Sequence, residues 1–290
     1  MSQNSPDNLK LALPKGRMYD SVVHLLSDSG IAISASPRGY RPRIGLAGVE
    51  AKVLKPQAIV EMLTTGRRDL GFAGSDWVAE LDADLIEVLD TGLEPVRLVA
   101  AASREILIDQ RLPARRLVVA SEMQHLARQW IMRRELDATF VRSWGATEVL
   151  PPDDADCIVD IAATGATLEA NGLVVIDELM TSSTRLYASR NAWGNPEKRD
   201  RIEEIALVLS SVLEARRRVM LEVNVVPGRL EDVCNVLPCM REPTIAPLHG
   251  DAGYAVKAAV PRDELPRLIP IIKNRGGTDL VISPIAQVVP

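Results

Sequence analysis

The chain is poor in cysteine, short of positive charge and without a long apolar run, and each shortage closes off a class of protein. Cysteine occurs three times in 290 residues, at Cys157, Cys234 and Cys239. An odd number without metal-ligand spacing predicts neither a disulfide framework nor a zinc site, and the thiols read as reduced in a cytosol. The formal net charge of -5 argues against a nucleic-acid partner, which needs a basic face to displace counterions, while leaving room for local basic clusters that bind small anions. No apolar stretch approaches the ~20 residues of a membrane span. The opening residues MSQNSPDN are polar and lack the apolar core of a secretory leader. Secretion and membrane insertion are therefore disfavoured, and a cytoplasmic location is expected. Internal repeats and low-complexity segments are also missing.

What remains is an ordinary globular composition, 47% hydrophobic and 25% charged, with enough length for two or three modules at ~150 residues each. Residues 9–13 form a short apolar strand that ends in Pro14-Lys15-Gly16-Arg17 before a helical pattern carrying Val22, Val23, Leu25 and Leu26. Pro56 opens a second helix through Ile59, Val60 and Leu63, Gly66 stops it, and residues 69–73 form the next strand. Such alternation implies a mostly parallel sheet flanked by helices. From 117 to 176 the pattern restarts: strand LVVA, a helix through Trp130 and Ile131, and strands ATFV, ADCIVDI and LVVI. A strand over 185–189 and a long helix over 196–218 then return the chain to the first lobe.

Beyond Arg218 the order becomes strand 219–226, helix 230–237, strand 244–248, strand 254–260, helix 265–274 and strand 279–282. That βαββαβ order is the ferredoxin-like arrangement. The expected layout is a discontinuous first lobe over 1–102 and 183–217, a second lobe over 103–182, and a separate unit over 218–290.

The most informative stretch runs from Ala155 to Leu173. A buried strand ends in Asp160, small residues follow, and Thr164-Gly165-Ala166-Thr167 begins a helix. Small side chains, here Ala163, Gly165 and Ala166, let an anion approach the backbone. Amides at the helix start and the hydroxyls of Thr164 and Thr167 can then donate to phosphate oxygens. Asp160 sits at the strand mouth, within reach of ribose hydroxyls, while Asp156 lies further back on the same face. Three other places invite either a ligand or a bland role. Lys15 and Arg17 could meet an anion at the carboxyl edge of the sheet or form a solvated turn. Gly71 and Gly74 could serve a site or permit a tight turn, and Glu148 in Gly145-Ala146-Thr147-Glu148 could face a ligand or cap a helix. His24, His125, His249 and Trp130 form no shared constellation and receive no chemistry.

The stretch from Asp156 through Leu173 resembles the phosphoribosyl pyrophosphate loop of ATP phosphoribosyltransferases, acid-x-x-V-D-x-x-x-T-G-x-T-L-x-x-N-x-L. Leu13-Pro14-Lys15-Gly16-Arg17, the D-L-G-x-x-G-x-D run from Asp69 to Asp76, and Pro243-Thr244-Ile245-Ala246-Pro247-Leu248 extend the resemblance over almost the whole chain. One departure stands out: relatives show R-P-x-D-I-P where this chain reads Lys55-Pro56-Gln57-Ala58-Ile59-Val60. Lys keeps the charge but not the planar fork of Arg.

The resemblance implies an α/β catalytic region with two lobes like a periplasmic solute-binding protein, plus a regulatory ferredoxin-like domain. It implies the joining of ATP, through adenine N1, to phosphoribosyl pyrophosphate, the first step of histidine biosynthesis. On this resemblance Lys15, Arg17 and Asp160 act in catalysis. Asp160, Ala163, Thr164, Gly165, Ala166 and Thr167 bind phosphoribosyl pyrophosphate, and Lys15, Gly16, Arg17, Gly74 and Glu148 bind ATP. Glu222, Met240 and Thr244 are expected to bind histidine as an inhibitor, Mg²⁺ accompanies the pyrophosphate without a dedicated protein cage, and the assembly is a homohexamer built from dimers. The competing expectation is a cytosolic two-lobed ligand-sensing module without catalysis.

Overall fold

A computed structural model describes residues 8–34 and 39–289, and counts of elements refer to those residues. Residues 1–7, which carry most of the polar start, lie outside them. The chain divides into two compact units, Met1–His24 with Ile31–Glu203, and Leu25–Gly30 with Glu204–Pro290.

The first unit opens with β1 (Leu9–Pro14), α1 (Met18–Asp28), the two-residue strands β2 (Ile33–Ser34) and β3 (Arg43–Ile44), and β4 (Val49–Leu54). It continues through α2 (Pro56–Thr64), β5 (Leu70–Gly74), α3 (Ser75–Glu80), β6 (Ile86–Ser103), β7 (Leu117–Ser121), α4 (Gln124–Arg133) and β8 (Ala138–Arg142). β9 (Cys157–Ala162), α5 (Ala166–Ala170), β10 (Leu173–Ala188), α6 (Arg190–Trp193) and α7 (Pro196–Arg217) complete the series, the unit boundary falling inside α7.

Eight strands form one sheet in the order β4-β1-β5-β10-β6-β9-β7-β8. At one end β4, β1 and β5 run parallel, and at the other β9, β7 and β8 do. Leu9, Leu11, Ala12 and Leu13 are buried along β1 and only Lys10 between them is exposed, so the strand is covered on both faces from Leu11 onward. Pro56 stands at the start of α2, and Gly66, with φ +67°, follows its end.

Between the parallel ends lies an antiparallel ribbon of β6 and β10, paired from Leu173↔Ser103 to Ala188↔Ile86. Here the expectation needs correcting. Residues 173–176 and 185–189 were expected as separate strands, yet 173–176 and 185–188 belong to one strand, β10, Ser189 caps α6, and the 18-residue partner β6 was not anticipated. The physical reason is the series of register shifts between Val175 and Tyr187. Each shift breaks the two-residue alternation that marks a strand in sequence. The expected lobe boundaries at 102/103 and 182/183 fall within these two strands.

The second unit contains β11 (Arg218–Val225), α8 (Leu230–Cys234), β12 (Thr244–Pro247), β13 (Tyr254–Pro261), α9 (Leu265–Asn274) and β14 (Gly277–Pro284). Its sheet has the order β12-β13-β11-β14 with every neighbour antiparallel, the ferredoxin-like arrangement. Val219, Leu221, Val223 and Val225 alternate inward from β11 onto Val256, Val260, Leu268 and Ile272. Met220, Glu222 and Asn224 occupy the alternate positions of β11, and Glu222 is paired in register with Lys257.

Candidate active site

The site grows from the carboxyl edge of β9. Cys157, Ile158 and Val159 are wholly buried, which fixes the strand and leaves Asp160 at its mouth. The chain then turns through Ala163, Thr164 and Gly165 into α5. Gly165 has φ +84°, and a Cβ there would meet nothing within 4 Å. Its need is therefore conformational, with open space in front of the backbone. The Ala166 amide donates to Thr164 Oγ1 at 3.3 Å. The first helical bond of α5 runs from the Glu169 amide to the Gly165 carbonyl at 3.0 Å. The amides of Thr167 and Leu168 precede it and lack a helical acceptor, as the first turn of any helix does.

Residues 160–168 line a pocket of about 210 Å³ together with Arg17 and Glu148. Three separate turns thus meet: the one after β1 brings Arg17, the one after β8 brings Glu148, and the one after β9 supplies the loop. Arg17 is held by Glu94, Nε to Oε2 at 3.3 Å, and Glu94 also accepts from Ser21 on α1. Lys15 and Gly16 belong to the same turn as Arg17 but not to the pocket wall. Lys15 extends to Tyr40, with Nζ 5.4 Å from the ring centroid, and Gly16 has φ +86°. Glu148 follows Gly145 and Ala146, both in left-handed conformations, and a 2.7 Å hydroxyl pair between Ser143 and Thr147 closes its turn.

Asp160 is the group whose acidity the site alters most clearly. Burial pushes its carboxyl up to about 6, with Glu148 and Glu122 adding to the rise and the Ile161 amide, donating at 2.7 Å, opposing it. Asp156 behaves oppositely. Burial opposes its ionisation, but the Arg115 guanidinium at 2.6 Å and the Val118 amide at 2.7 Å hold it below the usual carboxylate range. It pins the start of β9 to that of β7, away from the pocket.

The D-L-G-x-x-G-x-D run is built for packing. Asp69 binds Lys198 Nζ and accepts from the Lys10 amide, each at 2.8 Å. A Cβ on Gly71 would come within 2.7 Å of Ile59 Cγ2, and one on Gly74 within 2.0 Å of Asp76 Oδ1. Gly74 has φ -71°, and neither glycine is in a left-handed conformation, so crowding, and not a tight turn, is what calls for glycine here. Gly74 is buried and not part of the pocket wall. Asp76 in turn accepts from Ser182 Oγ at 2.6 Å, tying the start of α3 to β10.

Sequence reasoning did not single out Glu94 and Ser21, which position Arg17. They are separated by 73 positions and belong to no local motif, so no sequence signal announces them. Among the described residues no group of three or more His, Cys, Asp or Glu is placed to hold a metal ion. Two acids crowding one pocket, Asp160 and Glu148, nonetheless suit a cation that arrives with substrate phosphates.

A family model described as ATP phosphoribosyltransferase matches residues 55–211, and one described as HisG, C-terminal domain matches 215–287. The chain belongs to the ATP phosphoribosyltransferase family. An ATP phosphoribosyltransferase of Chlorobium luteolum is 34% identical over 278 residues, covering 94% of this chain and 95% of its own. One from Pelotomaculum thermopropionicum is 32% identical over 287 residues, covering 97% and 99%. A chain in a solved ATP phosphoribosyl transferase (HisG:HisZ) complex from Thermotoga maritima shares the fold. Its TM-score is 0.63 at 24% identity, over 71% of this chain and 98% of that one. This ATP phosphoribosyltransferase is therefore an enzyme of the pentosyltransferase class, and the sensor without catalysis falls away. No described helix is long and apolar enough to cross a membrane.

Proposed function

We propose that the β9–α5 pocket is where this ATP phosphoribosyltransferase holds phosphoribosyl pyrophosphate. The observation that carries this is the convergence of Asp160, the 163–167 loop, Arg17 and Glu148 on one small cavity. In the reaction, the lone pair of adenine N1 forms a bond to C1 of the phosphoribosyl group, and the C1–O bond to pyrophosphate breaks with its electrons leaving on pyrophosphate. N1 needs no strong base to attack, so the barrier falls mainly through alignment and stabilisation of departing charge. Loop amides and the Thr164 and Thr167 hydroxyls hold the 5′-phosphate, Asp160 accepts from ribose hydroxyls, and Arg17 and Lys15 face anionic oxygens. Gly16 shapes the ATP side, Glu148 faces both substrates, and Gly74, buried in packing away from the pocket wall, supports the site only through the fold. Mg²⁺ would enter with the substrate phosphates beside Asp160 and Glu148, and would supply charge neutralisation on the pyrophosphate.

Thr167→Val tests the placement, because it removes a hydroxyl and keeps the volume. A hydrogen bond to a charged group is worth about 1.5–3 kcal/mol. Calorimetry is expected to show phosphoribosyl pyrophosphate bound about 10- to 150-fold more weakly, with the melting temperature unchanged. Equal affinity would move the 5′-phosphate elsewhere.

The second unit is read as the regulatory domain, with histidine as its ligand. Met240 and Thr244 line a cavity of about 510 Å³, and Lys257, also in its wall, is bound by Glu222 at 2.7 Å. Glu222 thus stands beside the cavity, its carboxylate offered to the amino group of the ligand. Inhibition requires histidine to favour one arrangement of the enzyme, typically by about 1–3 kcal/mol. Glu222→Ala is expected to lose most histidine sensitivity in steady-state assays while retaining turnover, and wild-type sensitivity would refute this placement. A truncation near Arg218 is the poorer test, since residues 204–217 group with the second unit. A homohexamer built from dimers and a cytoplasmic location complete the proposal.

A further inference from the structure

We propose that the second unit carries an anion site at the junction of α7 and β11, suited to a small molecule bearing a polyphosphate chain. α7 ends at Arg217 and β11 begins at Arg218 with no loop between them, so three consecutive arginines, Arg216 to Arg218, bracket the turn from helix to strand. The antiparallel register places Arg218 opposite Pro261, and this brings the next residue, Arg262, to the same end of the sheet. These four arginines wall a cavity of about 580 Å³ with Glu214, Pro261 and Asp263.

The charges in that wall are unequal. Four arginines share the wall with Glu214 and Asp263, and Asp28 pairs with Arg216 from outside it, leaving a local balance of +1 in a chain whose net charge is -5. Arg216 is held by Asp28 at 2.7 Å and Arg218 by Glu214. Arg217 and Arg262 are exposed, and among the described residues neither has a carboxylate partner. Basic residues in the last turn of a helix commonly answer its dipole, which accounts for Arg216 and Arg217. It does not account for Arg262, which comes from a different element. Guanidinium forks match phosphate oxygens two at a time, and their stems with Pro261 offer apolar cover. A ligand with several negative charges spread along a chain meets both features.

The test is calorimetric, on the full chain, with inorganic tripolyphosphate as the probe. The wild type is expected to bind at two sites per chain, this one and the catalytic pocket. In the double variant Arg217→Gln, Arg262→Gln one site weakens at least tenfold, while ATP turnover and the mass by light scattering stay unchanged. The single variant Arg217→Lys keeps the charge without the fork and falls between. A parallel titration with GTP separates two sources of the same chemistry: GTP binding tighter than tripolyphosphate assigns a nucleotide, and equal binding assigns the polyphosphate alone. Identical isotherms for wild type and double variant would overturn the site. So would a change in assembly mass without loss of anion binding, which would make these arginines a contact between copies.

Discussion

Asp160→Asn is expected to cut kcat/KM by about 10- to 150-fold, the cost of a charged acceptor replaced by an amide that meets ribose hydroxyls only partly. It is also expected to make the protein more stable near neutral pH. The folded protein raises the Asp160 carboxyl from 3.8 to about 6, chiefly through burial. A carboxyl raised on folding favours the folded state below its unfolded value and loses that favour as pH climbs through the folded one. At about 1.4 kcal/mol per pH unit the rise amounts to about 3 kcal/mol, and partial exposure trims this to about 2. Asp160→Asn therefore gains little near pH 4 and most at pH 7 and above, so the two melting curves diverge across that window. Reduced turnover without the pH-dependent gain would mean the carboxylate is not desolvated. A gain in stability with full turnover would make Asp160 a buried acid without a substrate.

Gly74→Ala is expected to be among the most damaging single-methyl additions to the chain. Backbone conformation is no obstacle, since φ is -71° and ψ 143°. Space is the obstacle, because the added carbon would lie 2.0 Å from an Asp76 carboxylate oxygen. Asp76 is 4% exposed and bonded to Ser182, so it can yield only by breaking that contact. Leaving a buried hydrogen-bonding group without its partner costs about 1–3 kcal/mol, and somewhat more where the group is charged. Chemical denaturation should show a loss of that order, while the folded fraction keeps its kcat. The opposite split, full stability with a raised KM for ATP, would assign Gly74 to substrate contact instead.

These two residues also show how unevenly the structure was written in the sequence. The stretch around Asp160 was legible because a buried strand, a run of small residues and a helix start lie next to one another. The chemistry of a phosphate loop is carried by neighbours in the chain, and the structure places residues 160–168 around one cavity. The βαββαβ order was legible for a similar reason, since β11 and β13 alternate cleanly between buried and open faces. Gly74 was visible as a glycine but not as a contact, because Ser182, which holds the Asp76 carboxylate against it, is more than a hundred positions from Asp76. Arg17 was visible as a cation at a strand end, whereas Glu94, which holds it, was not. The β6–β10 ribbon escaped because its register shifts erase the alternating signal, and half-exposed residues such as Asp177 and Glu178 read locally as a loop. What sequence conveys well is local order, and what it hides here is pairing between distant strands.

The most direct measurement is a spectrophotometric assay of the purified full-length chain with ATP, phosphoribosyl pyrophosphate and Mg²⁺. The account predicts the absorbance of an N1-ribosylated adenine, formed in step with pyrophosphate and lost when either substrate is left out. Pyrophosphate release without that absorbance, or no reaction by a folded protein that binds both substrates, would contradict it.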